Sequence, residues 1–247
     1  MDSSPQRSVW TYQRLTHPFG VEASDWFGVR SPYLSAHLHD EAQLSVVYSG
    51  LRRFRIGGEE FSIPAGRFIV IPAGVPHISV GMGGIKTRSR DVFLKANWFA
   101  QERPCDVLLG EAPISLTQMR NAETDVLLDA FAGADVIRKA LPLEPTLPAE
   151  IVEAVRDGDA PVAKITTEMR LSREGFIRKF AREMGMTPYA FRLAHKASRA
   201  RAMLRRDCAP AAAAHDAGFS DQSHLGRIFR RTFGTTPAAY ARVWRAR

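Results

Sequence analysis

The feature that most constrains the fold of this chain is a repeat within its C-terminal half. Both copies contain a serine, an amphipathic segment and a closing Gly-x-Thr-Pro. They comprise Ser172, 176–180 and 185–188 in the first copy, and Ser220, 225–229 and 234–237 in the second. The offset is 49 residues, or 48 at the leading serine. A helical unit repeated at this distance predicts two similar modules that pack side by side.

The charge distribution separates this half from the rest of the chain. Residues 149–247 hold 19 Lys and Arg against 10 Asp and Glu, whereas residues 1–148 hold 15 against 16. The two halves therefore carry net charges of +9 and −1. A strongly basic half is attracted to a polyanion through counterion release, and this property alone fits DNA as well as an acidic membrane surface.

Strong helix formers dominate residues 149–247 and predict a run of helices. The predicted helices span 149–156, 162–169, 173–184, 188–206, 210–216, 221–233 and 237–244. Before them, residues 142–148 contain three prolines, which stop a helix because proline lacks the backbone donor. The predicted organisation is an N-terminal domain at 1–141, a proline-rich linker at 142–148 and an all-α domain at 149–247.

The second copy of the repeat contains the clearest candidate binding surface. A helix of small residues leads to Gly218, and we expect Ser220 at the N-cap of the next helix. One face of that helix is apolar, with Leu225, Ile228 and Phe229, and a helix-turn-helix of this kind places its polar face in the major groove of DNA. The candidate DNA-contacting residues are Ser220, Asp221, Gln222, Ser223, His224, Arg227 and Arg231.

Two stretches of this copy resemble the signature of AraC/XylS-type transcription regulators. They are Gly-Phe-Ser-Asp-Gln-Ser-His at 218–224 and Phe-Gly-Thr-Thr-Pro-Ala-Ala-Tyr at 233–240. The resemblance covers about residues 160–247. It implies two helix-turn-helix units joined by the long helix at 188–206, which place their recognition helices in successive major grooves about 10 base pairs apart.

The first copy departs from this signature at two positions. Arg170 stands where the family usually has the turn glycine, and Gly175 falls within the recognition helix. A glycine inside a helix weakens it by up to about 1 kcal/mol relative to alanine. The base-facing candidates of the first copy are Arg173, Glu174 and Arg178, of which Arg178 equally suits a phosphate contact.

Residues 25–96 have a different pattern, in which short apolar runs alternate with turn residues. The runs at 43–48, 54–56, 61–63 and 68–71 are each followed by glycine or proline within two residues. Turn signals at intervals of eight to twelve residues predict an antiparallel sandwich or barrel. Gly57 and Gly58 lie between two of these runs and predict a hairpin turn.

Three histidines occur in this strand-rich region. His37 and His39 are two residues apart, so both side chains point to the same side of a strand, and His77 follows on a later strand. Together with Gln43 and the glycines and proline of 66–77, they resemble the two motifs of cupin barrels. AraC/XylS-type regulators often carry a cupin-like sensor, so the resemblance implies such a domain here.

Two interpretations of the histidines stay open. Three imidazoles suit a divalent transition metal, although Gln43 replaces the glutamate that the cupin resemblance implies as the fourth ligand. Alternatively, the side chains form the hydrogen-bonded lining of a pocket for a small effector. The candidate pocket residues are His37, His39, Gln43, Tyr48 and His77, and the candidate metal ligands are His37, His39 and His77.

An apolar stripe predicts one amphipathic helix over residues 122–141. Its members recur at spacings of 3 and 4 and are Leu127, Ala130, Ala134, Ile137 and Leu141. The stripe could pack against the chain's own barrel or against the same helix of a second subunit.

The predicted fold class is α+β with two domains: an N-terminal antiparallel, cupin-like β-barrel and a C-terminal all-α domain with two helix-turn-helix units. The expected function is a transcription regulator that binds double-stranded promoter DNA and a small-molecule effector as a homodimer, and not an enzyme. A metal-dependent cupin enzyme fused to a DNA-binding tail is the alternative. The sign of regulation, the operator and the effector stay open.

No membrane partner is expected, because no apolar run approaches the roughly 20 residues that span a bilayer. The N-terminal residues do not have the pattern of a signal peptide, which predicts a cytoplasmic location. Cys105 and Cys208 are far apart in the sequence and are expected to be free thiols.

Overall fold

The computed structural model describes residues 9–95, 106–121, 123–133, 138–142, 147–158, 165–167 and 170–245. Over these residues a β-rich N-terminal domain is followed by a helical C-terminal domain, which confirms the predicted fold class. None of the described helices is both long and apolar enough to cross a membrane.

The N-terminal domain is built from two antiparallel sheets. In chain order the strands are β1 Val9–Arg14, β2 Gly20–Gly28, β3 Leu34–His37, β4 Ala42–Ser49, β5 Leu51–Ile56, β6 Glu59–Pro64, β7 Arg67–Ile71, β8 His77–Ser79, β9 Thr87–Leu94, β10 Asp106–Glu111 and β11 Arg138–Pro142. The larger sheet has the order β1-β2-β9-β4-β7-β10-β11, and the smaller has the order β3-β8-β5-β6. The predicted hairpin is confirmed, because Ile56 pairs with Glu59 and leaves Gly57 and Gly58 as its loop.

Side-chain alternation along β4 divides the barrel core into two layers. Val47 points between the sheets and packs with Phe54 and Ile71. Leu44 and Tyr48 point to the outer face, where a short helical segment covers the larger sheet. That segment comprises α1 Leu116–Asn121 and α2 Thr124–Gly133.

The predicted single helix over 122–141 is wrong in its C-terminal part. The helix α2 ends at Gly133, and residues 138–142 form β11, in which Leu141 pairs with Val107 of β10. Pairing with β10 satisfies backbone donors and acceptors at the edge of the sheet, and this tertiary pairing outweighs the helical periodicity. Ala134 and Ile137 lie outside the described residues. Leu127 is buried against the chain's own sheet.

The helices of the C-terminal domain agree with the prediction to within one residue at each end. They are α3 Ala149–Asp157, α4 Arg173–Met184, α5 Pro188–Arg205, α6 Pro210–Asp216, α7 Gln222–Phe233 and α8 Pro237–Arg245. The predicted helix over 162–169 is described only at 165–167, which is helical. Within the predicted linker, Pro142 ends β11 and Pro148 is the N-cap of α3, whereas 143–146 lie outside the described residues. Cys208 is a free thiol, and Cys105 is not described.

Candidate DNA-binding face and buried interdomain site

The second helix-turn-helix module, residues 210–233, presents a polar recognition helix. Asp221 caps α7 by accepting a 2.7 Å hydrogen bond from the backbone amide of His224, so the prediction of Ser220 as N-cap is wrong by one residue. A carboxylate at residue 221 reaches the free amides of the first turn, and Ser220 donates to that carboxylate at 3.1 Å. Hydrogen bonds from the His224 amide and the Ser220 hydroxyl lower the pKa of Asp221.

The predicted DNA-contacting side chains line the outer side of α7. Leu225 and Phe229 are buried against the module, as expected for an amphipathic recognition helix. His224 is half-buried, and the exposed candidates are Ser220, Asp221, Gln222, Ser223, Arg227 and Arg231. A guanidinium in this position can donate two hydrogen bonds to a guanine edge, and a side-chain amide can donate one hydrogen bond to an adenine edge and accept one from it.

The first module, residues 165–184, repeats this arrangement on α4. Ser172 caps the helix by accepting the amide of Gly175 at 3.0 Å, and Phe176 and Phe180 are buried. The candidates Arg173, Glu174 and Arg178 are all exposed. Arg170 adopts a positive φ of 52°, which is the backbone geometry that the turn requires and that the family resemblance assigned to a glycine.

The barrel packs on both modules through residues 34–39, which we call the β3 segment. Leu38 is buried in the same apolar cluster as Phe176 and Phe180 of the first module, and Ala36 packs against that cluster. The Ser35 hydroxyl donates to the backbone oxygen of Arg231 in the second module at 3.1 Å. One short segment of the barrel therefore contacts both helix-turn-helix modules.

A buried ionic cluster joins the barrel to α5 and α8. Glu22 of β2 pairs with Arg201 and accepts a hydrogen bond from the Tyr240 hydroxyl. Glu41 pairs with Arg205, and a terminal nitrogen of Arg201 lies 3.5 Å from its carboxylate. The Arg205 side chain also lies 3.2 Å from Glu22 and donates to Tyr240 at 2.8 Å. Two carboxylates of the barrel thus neutralise two guanidiniums of the helical domain.

The charges in this cluster stabilise one another. Burial by itself raises the pKa of Glu41, but the charges of Arg201 and Arg205 and the Arg205 hydrogen bond outweigh it and lower this pKa to about 2. Burial lowers the pKa of Arg201, yet the nearby Glu22 keeps it well above its usual range. Removal of one partner would leave a buried charge without compensation, which is strongly unfavourable.

The N-terminal strand β1 packs against the C-terminal end of the recognition helix α7. The Tyr12 hydroxyl donates to the backbone oxygen of Phe233 at 2.6 Å. Trp10 lies so close to Gly234 that a Cβ atom there would be 2.1 Å from its ring. Burial is the largest influence on Tyr12 and raises the pKa of its hydroxyl far above the usual value.

The three histidines of the barrel form one buried cluster. The ring centroids of His37 and His77 are 4.2 Å apart, and those of His39 and His77 are 5.1 Å apart. One ring nitrogen from each residue can be chosen so that all three lie within 4.8 Å of one another. Burial lowers the pKa of His37 to about 3, and it also lowers those of His39 and His77. All three imidazoles are therefore neutral near pH 7.

The cavity beside these histidines is small. Its volume is about 10 Å³, which is room for one water-sized group. The barrel contributes His37, His39 and Gln43 to its lining, and α7 contributes Thr232 and Phe233. Tyr48 does not line it, contrary to the sequence prediction. It lies five positions after Gln43 on one strand, so the two side chains point to opposite faces.

A buried arginine, Arg52, lines the same cavity. The Arg52 guanidinium lies 3.4 Å from Asp91 and donates to Ser89 at 2.9 Å and to Ser79 at 3.2 Å. Burial lowers the pKa of Arg52, and the charge of Asp91 opposes this effect. The polar side chains expected to line an effector pocket therefore form hydrogen bonds largely with one another.

Comparison with known proteins places these features in a family. A helix-turn-helix domain model matches residues 165–242, and a model of the AraC-like ligand binding domain matches residues 20–78. The chain is an AraC-type transcription regulator. No curated protein matches it.

Solved structures share the two-domain fold of this AraC-type regulator at low sequence identity. ToxT from Vibrio cholerae O395 matches with a TM-score of 0.52 and 11% identity over 96% of this chain and 99% of that chain. ToxT bound to (E)-4-(8-methylnaphthalen-1-yl)but-3-enoic acid has a TM-score of 0.53 and 11% identity over 97% and 100%. ToxT of strain SCE256 with a bound unsaturated fatty acid has a TM-score of 0.50 and 12% identity over 98% and 97%.

Sequence reasoning missed the ionic cluster of this regulator, although a signal was present. Ala194, Ala197, Arg201 and Leu204 recur at spacings of 3, 4 and 3 and are all buried on α5. An arginine inside an apolar helical stripe predicts a buried acidic partner, because a charge is rarely fully buried without one. The identity of that partner, Glu22, depends on the docking of the two domains.

A larger cleft of the regulator lies beside α5, close to the second module. It has a volume of about 690 Å³, within the range of ligand pockets. Charged side chains predominate among its lining residues, with Arg156, His195, Lys196 and Arg199 facing Asp40 and other acids. No large hydrophobic side chain lines it, whereas pockets for organic ligands are usually lined by hydrophobic and aromatic side chains.

Proposed function

We propose that this AraC-type regulator binds promoter DNA through α4 and α7, and that the state of the barrel controls the relative position of these helices. The observation that carries the proposal is the contact of one barrel segment, 34–39, with both helix-turn-helix modules. Two recognition helices bind strongly only if their spacing matches successive major grooves. A change in the barrel that moves this segment would therefore change the affinity for DNA.

Effector control requires that the effector have different affinities for two arrangements of the domains. The histidine cavity is bounded on one side by Thr232 and Phe233, so its shape depends on how α7 packs on the barrel. At about 10 Å³ it has no room for an organic molecule in this arrangement. An organic effector of the kind bound in the ToxT structures would have to separate α7 from the barrel before it could enter.

The same cavity argues against the alternative of a cupin enzyme. A substrate must lie beside the catalytic groups, and a space for one water-sized group does not admit one. We therefore propose a regulator rather than an enzyme. The proposal retains the homodimer expected from the sequence, and it retains a cytoplasmic location because promoter DNA is found there.

Selection of DNA sites by the full-length protein tests the first part of the proposal. A random duplex library is enriched on the protein, and dissociation constants are then measured for the enriched site and for a shuffled site over a range of salt concentrations. We expect a site with two half-sites about 10 base pairs apart and at least about 10³-fold preference over shuffled DNA. Equal affinity for both sequences would contradict sequence-specific regulation. Light scattering on the same sample tests the homodimer.

A further inference from the structure

We propose that His37, His39 and His77, together with the side-chain oxygen of Gln43, bind one divalent first-row transition metal ion, and that this ion fixes the β3 segment against both DNA-binding modules. The metal site stands on the barrel geometry alone. The effect of the bound ion on DNA binding rests on the proposed function. It extends that function by identifying the effector as a divalent transition metal ion.

The hydrogen bonds of the three rings orient them for metal binding. The Nδ1 atoms of His37, His39 and His77 lie 2.7 Å from Ser35 O, 2.7 Å from Glu41 O and 2.9 Å from Val75 O. A carbonyl oxygen only accepts hydrogen bonds, so each Nδ1 must carry the ring proton. Each Nε2 then has a free lone pair, which is the arrangement seen in metal sites whose histidines are held by outer hydrogen bonds.

The unpartnered polar atoms of the cluster are placed to bind a cation. The Nε2 atom of His77 is buried and has no hydrogen-bond partner among the described residues. The Nε2 atom of His39 lies 2.9 Å from Oε1 of Gln43, although both atoms are acceptors when Nδ1 carries the proton. Two ligand atoms at right angles about 2.1 Å from one ion are about 3.0 Å apart, so this separation fits a shared cation. A 180° rotation of the amide supplies a donor when no ion is bound.

Size and ligand chemistry also favour an ion. The cavity of about 10 Å³ that His37, His39 and Gln43 help to line has room for an ion but not for an organic group. The guanidiniums of Arg52 and Arg201 are paired with Asp91 and Glu22, which offsets part of their positive charge beside the rings. Imidazole nitrogen suits zinc, copper, iron and nickel ions, and three such ligands with one amide oxygen leave room for a water ligand.

The alternation of side chains in the β3 segment connects the ion to the DNA-binding domain. His37 and His39 face the cluster inside the barrel, whereas the intervening Leu38 is buried in the core of the first module. The His37 ring centroid also lies 6.3 Å from that of Phe233, at the end of α7. An ion that holds His37 and His39 therefore restrains the residues that contact both modules.

Cobalt(II) is a suitable probe because its visible absorption reports the coordinating atoms. The untagged full-length protein is treated with chelator, titrated with cobalt(II), and then challenged with zinc(II). We expect one equivalent to bind, with an absorption band that zinc removes. A double variant, His37→Leu/His77→Leu, is expected to lose at least about 100-fold in affinity, because changes to outer hydrogen-bond partners alone already cost about 10- to 100-fold. The matched control is His215→Gln, an exposed histidine outside the cluster.

The outcomes of this titration are decisive for the site. Binding of one equivalent that depends on His37 and His77 supports it, and the cobalt band of the unaltered protein supports nitrogen ligation even if the double variant does not fold. Absence of binding, or binding that only His215→Gln abolishes, overturns the site. Neither result bears on the DNA selection, so a failure here is distinct from a failure of the proposed function.

The coupling is measured with the DNA site selected above. We expect at least about a 5-fold difference in dissociation constant between zinc-loaded and chelator-treated protein, the lower end of typical allosteric couplings. The variant Leu38→Ala should still bind cobalt but lose this difference. A metal-loaded protein with unchanged DNA affinity would overturn the coupling while leaving the site in place. Ser35→Ala, which removes only the hydrogen bond to Arg231, is the milder variant if Leu38→Ala does not fold.

Discussion

The second helix-turn-helix module meets the barrel through backbone hydrogen bonds as well as the side chain of Phe233, whereas the first meets it through apolar side chains. In the second module, the carbonyl oxygens of Arg231 and Phe233 accept hydrogen bonds from Ser35 and Tyr12. In the first module, Leu38 of the barrel is buried among the phenylalanines of α4. Hydrogen bonds are directional, but apolar contacts are not. We therefore expect the second module to be fixed on the barrel and the first to move more readily.

The two modules also differ in what surrounds the C-terminal ends of their recognition helices. Gly185 and Gly234 end the recognition helices with φ values of 69° and 71°. A Cβ atom at Gly185 would meet nothing within 4 Å, whereas at Gly234 it would lie 2.1 Å from Trp10. The same repeat position is therefore a free helix end in one module and a domain contact in the other.

The largest expected effect comes from the cluster that anchors α5, the helix between the modules. Glu22→Leu leaves Arg201 buried without its main partner, so we expect the free energy of unfolding to fall by about 3–5 kcal/mol. Urea unfolding followed by circular dichroism measures it. Asp25→Asn on the same strand is the control, because its pair with Arg90 is partly exposed and should contribute at most about 1 kcal/mol. Equal losses in the two variants would contradict a special role for the buried cluster.

A pair of glycine substitutions tests the difference at the ends of the recognition helices. Gly185→Ala should cost about 1–2 kcal/mol, the cost of a left-handed backbone for a residue with a Cβ atom. Gly234→Ala has this cost and also displaces Trp10, which adds about 1–3 kcal/mol. Thermal unfolding of both variants measures the difference. If they were equally destabilised, Trp10 would not hold the second module in solution.

A pair of arginine substitutions compares the two recognition helices on DNA. Arg227→Ala on α7 should weaken binding to the selected site by about 1–3 kcal/mol and relax its sequence preference. Arg178→Ala on α4, if its role is a phosphate contact, should weaken binding equally on selected and shuffled DNA. Fluorescence anisotropy with both duplexes measures these losses. A site-selective loss in Arg178→Ala would assign base contacts to the first module as well.

The sequence predicted those parts of the molecule that local chemistry determines. The Gly-x-Thr-Pro repeats and the apolar spacing of Phe176 and Phe180 placed the helices to within a residue. The two-residue spacing of His37 and His39 placed both rings inside the barrel. These features depend only on the periodicity of one helix or one strand, so they can be inferred without tertiary contacts.

Features that depend on packing between distant segments were predicted poorly. Leu141 continues the helical spacing of the stripe over 122–141, but residues 138–142 form a strand because β10 offers an edge with which they pair. The pairing of Glu22 with Arg201 joins residues 179 positions apart, and no local pattern specifies it. Tyr48 was a candidate pocket residue, yet strand alternation points it to the other layer.

The smallest expected effect concerns the turn that precedes each recognition helix. Arg170 has a φ of 52° and its counterpart Gly218 has a φ of 78°, so the first module has a residue with a Cβ atom where the second has none. Arg170→Gly relieves the strain of this left-handed backbone, but glycine adds flexibility to the unfolded chain. We therefore expect the free energy of unfolding to rise by at most about 1 kcal/mol. Gly218→Ala should do the reverse and cost about 1–2 kcal/mol. Thermal unfolding measures both variants. A loss of stability in Arg170→Gly would mean that the arginine side chain makes contacts that outweigh the strain of its backbone.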